Sequence, residues 1–322
     1  MSLASPGTGA EPLRIVFMGT PEFAVPSLAA LAAAEDVTLV MCNPDRPAGR
    51  GRVVASPPVK NEAVRLGIPV FQPEKARMPD AVARVAAEAP DLIVVVAYGH
   101  ILSKSVLDIP RTMCVNVHAS ILPKYRGAAP INWAVANGEK ETGVTIMKMD
   151  EGMDTGPILH IRGMPIGDED TAETMFGKLA VLGAEALVET LKVFREGALV
   201  LTPQDGAAAT YAPMLKKEHG KIDWKGSARK IRDLVRGMTP WPSATAVHGG
   251  GTLKVLSCAV VSEDAVPGRE PGEILAVGKE GISVVCGSGV LLLVTVQPEG
   301  GKTMDAWAYA QGRRLEKRDR LS

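Results

Sequence analysis

Residues 13–34 read L-R-I-V-F-M-G-T-P-E-F-A-V-P-S-L-A-A-L-A-A-A. Leu13–Met18 is an apolar run of strand length that ends at Gly19-Thr20-Pro21-Glu22. Thr20 stands where it can cap a helix whose first residue is Pro21, a position that tolerates the missing N–H. The helix continues through Phe23 to about Ala34. A strand, a tight glycine turn and a helix open a doubly wound sheet. One glycine stands where a dinucleotide fingerprint needs three, so the segment predicts a Rossmann-like βα unit without a nicotinamide.

The pattern repeats outward from there. Val37–Cys42 is a second strand, and it runs into N-P-D-R-P-A-G-R-G-R-V-V-A-S-P-P, residues 43–58, a long loop carrying Arg46, Arg50 and Arg52. Loops of that length are often mobile and functional, although a solvated surface loop gives the same text. Lys60–Leu66 reads as a helix, Ile68–Phe71 as a strand and Pro79–Glu88 as a helix. Asp91–Ala97 is continuously apolar, as expected of a parallel strand covered on both faces, and it empties into Tyr98-Gly99-His100-Ile101-Leu102. Ile131–Ala136 is a helix, Val144–Met149 a strand and Gly156–Pro165 an antiparallel strand leading away. Thr171–Glu196 has helical periodicity with Met175, Leu179, Leu182, Ala186 and Val193 on one side. Gly197–Pro213 is extended and unperiodic, which reads as a linker. Beyond it come a short basic helix, Ser227–Arg236, a rigid Thr239-Pro240-Trp241-Pro242 turn, and short strands near 244–248, 253–261, 273–277, 282–286 and 290–296. Five such strands suggest a small barrel of the OB type, either a scaffold or a binder of nucleic-acid strands.

The expected fold class is therefore α/β, a Rossmann-like, doubly wound, mostly parallel sheet with a second, smaller OB-like β-barrel domain. The expected division is a disordered leader or tag over 1–12, a catalytic domain over 13–196, a linker over 197–213 and the barrel over 214–322. Lys+Arg and Asp+Glu balance at 36 each over the 322 residues. From Tyr211 onward, however, 17 basic residues face 12 acidic ones, a bias that suits a polyanion partner or a solvated surface equally. Cys42, Cys114, Cys258 and Cys286 form no C-x-x-C pair and read as core thiols of a reducing compartment. The first dozen residues lack the basic start and apolar core of a signal peptide. No apolar run is long enough to cross a bilayer, so no membrane partner is expected.

Chemistry concentrates in 113–130, M-C-V-N-V-H-A-S-I-L-P-K-Y-R-G-A-A-P. Asn116 and His118 interrupt a buried strand two residues apart, so they share a face. One offers amide donors and the other an imidazole that can take up or give up a proton. They make a candidate acid/base and oxyanion pair, although an Asn and a His at a strand end also satisfy nearby backbone. Downstream, 143–158 is another buried strand followed by a glycine-bounded acidic turn, with Asp150, Glu151 and Asp154. No His/Cys cluster has ligand spacing, so no metal is expected.

N-x-H-x-S-x-L-P, then R-G-A-A-P, then D-x-G-x-D-T-G resembles the tetrahydrofolate-dependent formyltransferases, and the spacing of 36 residues from His118 to Asp154 suits them. The resemblance covers nearly the whole chain from Leu13. It implies transfer of formyl from 10-formyltetrahydrofolate, as co-substrate, to the α-amino group of methionine carried by initiator tRNA. It makes Asn116, His118 and Asp154 catalytic. It places the folate against Ser120, Ile121, Leu122 and Pro123, with a cis Leu122–Pro123 bond, and against Tyr98, Gly99 and the rest of their loop through backbone and aliphatic atoms. In relatives acting on charged tRNA, a loop like 43–58 lies against the acceptor end, which makes Arg46, Arg50 and Arg52 tRNA contacts and Arg50 the inserted arginine. A cytoplasmic monomer is implied. The alternative is a family member acting on a small amine, such as an amino sugar nucleotide, or a folate hydrolase. The Arg-rich loop and the basic carboxyl-terminal barrel argue against both, since a small substrate needs neither. A non-catalytic RNA-binding module is disfavoured by the intact Asn116, His118 and Asp154.

Overall fold

The computed structural model describes residues 11–48 and 53–322. They divide into two compact units, discontinuous in sequence: Met1–Gly127 with Thr142–Met164 and Phe176–Tyr211, and Ala128–Glu141 with Pro165–Met175 and Ala212–Ser322. Most of the leader expected over 1–12, and Arg50 and Arg52 of the 43–58 loop, lie outside the described residues.

In chain order the elements begin with β1 (Arg14–Gly19), α1 (Val25–Ala34), β2 (Asp36–Met41), a short β3 (Arg46–Ala48) and β4 (Val53–Ala55), α2 (Pro58–Arg65) and β5 (Val70–Phe71). They continue with α3 (Pro79–Ala87), β6 (Leu92–Val96), α4 (Lys104–Leu107), β7 (Met113–His118), β8 (Arg126–Gly127) and α5 (Pro130–Ala136). Then come β9 (Glu141–Lys148), β10 (Ile158–Pro165), α6 (Ala172–Arg195), β11 (Tyr211–Ala212) and α7 (Ala228–Gly237). The last are β12 (Ala244–His248), β13 (Gly251–Ser262), β14 (Ile274–Gly278), β15 (Gly281–Val285), β16 (Val290–Pro298), β17 (Met304–Asp305) and α8 (Ala306–Arg313).

Seven strands form one sheet in the order β10-β9-β7-β6-β1-β2-β5. The pairs β1–β2, β1–β6, β6–β7 and β2–β5 are parallel, and β9 returns antiparallel to β7. All five residues of β6 are buried, as a strand covered on both faces requires. Alternation sorts the faces: Val16, Met18, Ile93, Val95 and Cys114 join one cluster with Val85 of α3 and Val106 of α4. Asn116 and His118 continue the Cys114 face toward the carboxyl end of β7. Val117 points the other way, toward α6. A Cβ on Gly183 of that helix would stand 2.9 Å from Val117 Cγ1, so glycine sets the approach of helix to strand.

Two local expectations are corrected. Pro21 is extended, a single 3₁₀ turn occupies Glu22–Ala24, and the α-helix begins only at Val25. Thr20 therefore lies too early to cap it. Its hydroxyl instead donates to the Tyr98 carbonyl (3.4 Å) and accepts the Asn43 N–H (3.3 Å). The 43–58 loop is not irregular throughout, because β3 and β4 pair as an antiparallel hairpin within it. Asp45 anchors its base: Lys60, Gln72 and Ser56 all donate to that carboxylate. The Lys60 ammonium, foremost, holds it below the usual carboxylate range.

The second unit is a separate antiparallel β domain with the strand path β12-β13-β16-β15-β14, and β17 adds to β16. Ile231 and Val235 of α7 and Tyr309 and Ala310 of α8 pack into its core with Leu253, Leu291 and Leu293. Residues 306–313 form helix α8, which buries Ala306 and Tyr309, and Leu321 is also interior. Helix α7 is not a free basic face. Arg229 pairs with Glu263, Arg232 with Asp168 and Asp233, and the buried Arg236 with Asp233. Arg236 also donates to the Gly167 and Asp170 carbonyls. Low dielectric makes an unpaired interior guanidinium costly, so its neighbours are drawn in to match it.

All four cysteines are free thiols, and burial pushes Cys42 and Cys286 up to about 11 and Cys114 and Cys258 to about 12. Among the described residues no helix is long and apolar enough to cross a membrane, and no group of three His, Cys, Asp or Glu could hold a metal.

Gly183→Val should lower unfolding free energy by ~1–3 kcal/mol through overpacking against Val117. Gly177→Ala, where an added Cβ meets nothing, should leave stability unchanged or raise it by up to about 1 kcal/mol. Urea midpoints compare the two.

Candidate functional site

Strand β7 delivers Asn116 and His118 to the carboxyl edge of the sheet, where ligands of open α/β folds bind. Asn116 sits opposite Val95 on one side and Met147 on the other. Its side chain is half-buried, and its amide makes no hydrogen bond among the described residues. His118 is buried, at 5% exposure. Its Nε2 lies 2.9 Å from the Tyr125 carbonyl oxygen. A carbonyl only accepts, so Nε2 carries a proton. Nδ1 then faces Asp154 Oδ1 at 3.6 Å, within ion-pair range but beyond a direct hydrogen bond.

Asp154 is held from several directions. Its Oδ2 accepts the Gly127 N–H at 2.8 Å, and its backbone carbonyl accepts Gln204 Nε2 at 2.8 Å. Its φ of 54° is left-handed, a conformation a non-glycine residue keeps only when its surroundings enforce it. The rest of the turn is built around it. Asp150 Oδ1 accepts the Gly152 N–H and the Thr155 hydroxyl, so Asp150 is a turn former. A Cβ on Gly156 would fall 1.9 Å from the Lys148 carbonyl oxygen. The carboxylate therefore arrives beside the imidazole through the shape of the turn.

The loop after β7 is braced by a residue that no motif singles out. Thr145, cross-strand neighbour of His118, donates its hydroxyl to the Ser120 carbonyl (2.7 Å) and accepts the Leu122 N–H (3.0 Å). Ser120 Oγ donates to the Lys124 carbonyl at 2.7 Å. Ser120 and Leu122 are buried, Ile121 and Pro123 half-buried, and the Leu122–Pro123 bond is cis.

The remaining expected contact residues are placed as follows. The Tyr98 side chain is 1% exposed, in the core, and burial pushes its phenol to about 12. Its carbonyl is taken by Thr20 and by Asn43 Nδ2, while His100 Nε2 donates to Asn43 Oδ1 at 2.7 Å. Gly99, at φ 84°, turns the chain there. This loop is tied down from behind. A cavity of about 640 Å³ opens among Lys104, Leu107, Met113, Cys114, Met149 and the Asp150–Gly152 turn. Arg46 is exposed and pairs with Glu74 at 3.3 Å.

An unbonded amide, an imidazole and a carboxylate thus lie at the carboxyl edge of a wound α/β sheet, the edge where enzymes of this class hold their ligands. Residues 13–191 match the formyl transferase family and residues 214–314 the formyl transferase C-terminal domain. The chain is 51% identical over 310 residues to the methionyl-tRNA formyltransferase of Geobacter metallireducens, covering 96% of this chain and 98% of that protein. It is 50% identical over 304 residues to that of Sorangium cellulosum, covering 94% and 98%. The chain belongs to the methionyl-tRNA formyltransferase family. Its fold is shared with the Helicobacter canadensis N-formyltransferase solved with folinic acid and dTDP-3-aminofucose, at a TM-score of 0.65 and 18% identity over 87% of this chain and 98% of that one. It is shared too with HypX from Aquifex aeolicus in complex with tetrahydrofolic acid, at a TM-score of 0.60 and 18% identity over 97% and 51%.

Replacing Thr145 by Val should strand a buried carbonyl and N–H and cost ~1–3 kcal/mol. Denaturant unfolding measures this, with Thr145→Ser, which keeps the hydroxyl, near wild type.

Proposed function

We propose that this enzyme transfers the formyl group of 10-formyltetrahydrofolate to the α-amino group of methionyl-initiator tRNA, with Asn116, His118 and Asp154 as its catalytic residues. The observation that carries the reading is the unengaged Asn116 amide on the same strand face as an imidazole whose Nδ1 meets a carboxylate. The folate supplies the formyl group, and its N10 leaves with a proton in exchange.

Three demands follow from that exchange: a neutral attacking amine, a stabilised oxygen as charge builds on it, and a protonated leaving nitrogen. Asn116 donates its amide hydrogens to the developing oxyanion. His118 Nδ1 and Asp154 Oδ1 take up the proton that the amine loses and return one to the leaving side. The Tyr125 carbonyl, by fixing the Nε2 proton, leaves Nδ1 as the imidazole's exchangeable site. Contacts of this kind tighten when substrate is bound, so the 3.6 Å gap is compatible with transfer.

The cavity beside the acidic turn is the place for the ring system of the folate. Its volume lies within the range of small-molecule sites. Leu107, Met113, Cys114 and Met149 contribute apolar lining, and Lys104, Asp108, Lys148, Asp150 and Glu151 charged lining. Ser120, Ile121, Leu122 and Pro123, together with Tyr98 and Gly99 through their backbone, complete the folate contacts. Arg46, Arg50 and Arg52 supply phosphate contacts to the acceptor end of the tRNA.

Asn116→Ala should reduce kcat by about two to three orders of magnitude, the effect of losing one oxyanion donor worth ~2.7–4 kcal/mol, with an unchanged circular dichroism spectrum. Incubation with 10-formyltetrahydrofolate and methionyl-charged initiator or elongator tRNA should formylate the initiator. Formylation of an amino sugar nucleotide with neither tRNA touched would overturn the assignment. Affinity for tRNA should fall as salt rises, and Arg46→Ala or Arg50→Ala should each flatten that slope by roughly one phosphate contact. Salt-independent binding would remove the loop from the interface.

A further inference from the structure

We infer that Gln204 is a positioning residue for the Asp154 carboxylate, acting through the backbone of the acidic turn and itself oriented by Arg126. The inference rests on the reading of Asp154 as the proton-handling carboxylate. Gln204 lies in the unperiodic stretch between α6 and β11, where sequence offers only the reading of a linker.

The orientation of its amide follows from its partners. Oε1 meets only donors, Arg126 Nε at 3.1 Å and Nη2 at 2.7 Å. Nε2 meets only acceptors, the carbonyls of Asp154 at 2.8 Å and Gly156 at 2.7 Å. Exchanging the two atoms would set donor against donor and acceptor against acceptor, so one orientation exists. Both free ends of the turn residue are thereby engaged: Gln204 holds its main chain while Gly127 N–H holds its side chain. Those two holds come from adjacent residues, because Arg126 directs Gln204 and Gly127 binds the carboxylate.

Arg126 strengthens the arrangement. It is 5% exposed and makes no ion pair among the described residues. A cation so enclosed polarises the amide it touches, which sharpens donation from the opposite end to the two carbonyls. Thr210 keeps the stretch in register, its carbonyl accepting the Arg126 N–H and its hydroxyl the Tyr125 N–H, both at 2.9 Å. The left-handed Asp154 is the strained member, and the clip supplies the constraint that keeps it there.

The test uses the full-length enzyme with Gln204→Met, Gln204→Glu, Asp154→Asn and the Gln204→Met/Asp154→Asn pair. Gln204→Met should lower kcat by about 30- to 100-fold, the scale of a misplaced catalytic group, with both KM values within about threefold. In the Asp154→Asn background the same change should cost less than about threefold, because its route of action is already gone. Gln204→Glu keeps an acceptor for Arg126 but turns an oxygen toward two carbonyls, and should lose at least as much as Gln204→Met. Equal losses in both backgrounds, a loss confined to KM, or a fully active Gln204→Glu overturns the inference. A second readout does not depend on turnover. The chain has five histidines, and in ¹⁵N-histidine spectra the His118 ring signal should move in Gln204→Met while those of His160, His219 and His248 stay. If the parent formylates no charged tRNA, the proposed function fails alone, and an unmoved His118 signal would separately dispose of the clip.

Discussion

One hydrogen bond, from the Gly127 N–H to Asp154 Oδ2, ties together the two segments on which the site is built. The loop leaving β7 doubles back so that the Tyr125 carbonyl meets His118 and, two residues later, the Gly127 N–H meets the carboxylate. A single stretch of backbone thus presents an acceptor to the imidazole and a donor to its partner. That fixes which nitrogen holds the resident proton and which faces Asp154. The parallel sheet, the bracing by Thr145 and the packing of Gly183 against Val117 all serve to hold the course of that loop.

Polar groups at this edge are interior yet compensated. His118, Ser120, Arg126 and Thr145 are all buried, and each has named partners. Burying them unpaired would destabilise the first unit, so their satisfaction is a condition of folding as much as of chemistry. Asn116 is the exception. Its amide makes no hydrogen bond among the described residues, and half-exposure keeps the cost of that small.

The second unit shows why charge counted along a chain overstates charge offered to a partner. The basic excess beyond Tyr211 includes Arg229, Arg232 and Arg236, which face Glu263, Asp168 and Asp233 in the fold. Helix α7 directs its apolar stripe into the β-domain core and uses its arginines to fasten nearby backbone. What it presents to solvent is correspondingly less cationic than its text.

Sequence by itself determined the wound sheet, the five antiparallel strands of the second unit, and Asn116 and His118 as neighbours on one face. Those features follow from the two-residue repeat of a strand and from unbroken apolar runs, which act locally. The start of α1, the role of Thr20, the burial of Tyr98 and the helix at 306–313 were decided by competition for hydrogen-bond partners and apolar cover from distant segments. Gln204 is the clearest case: nothing within several residues distinguishes it, and its three partner residues lie about 50 and 80 positions upstream. Only the closed fold brings a buried arginine, two carbonyls and an amide within reach of one another, because donors and acceptors remote in sequence must be matched once water is excluded.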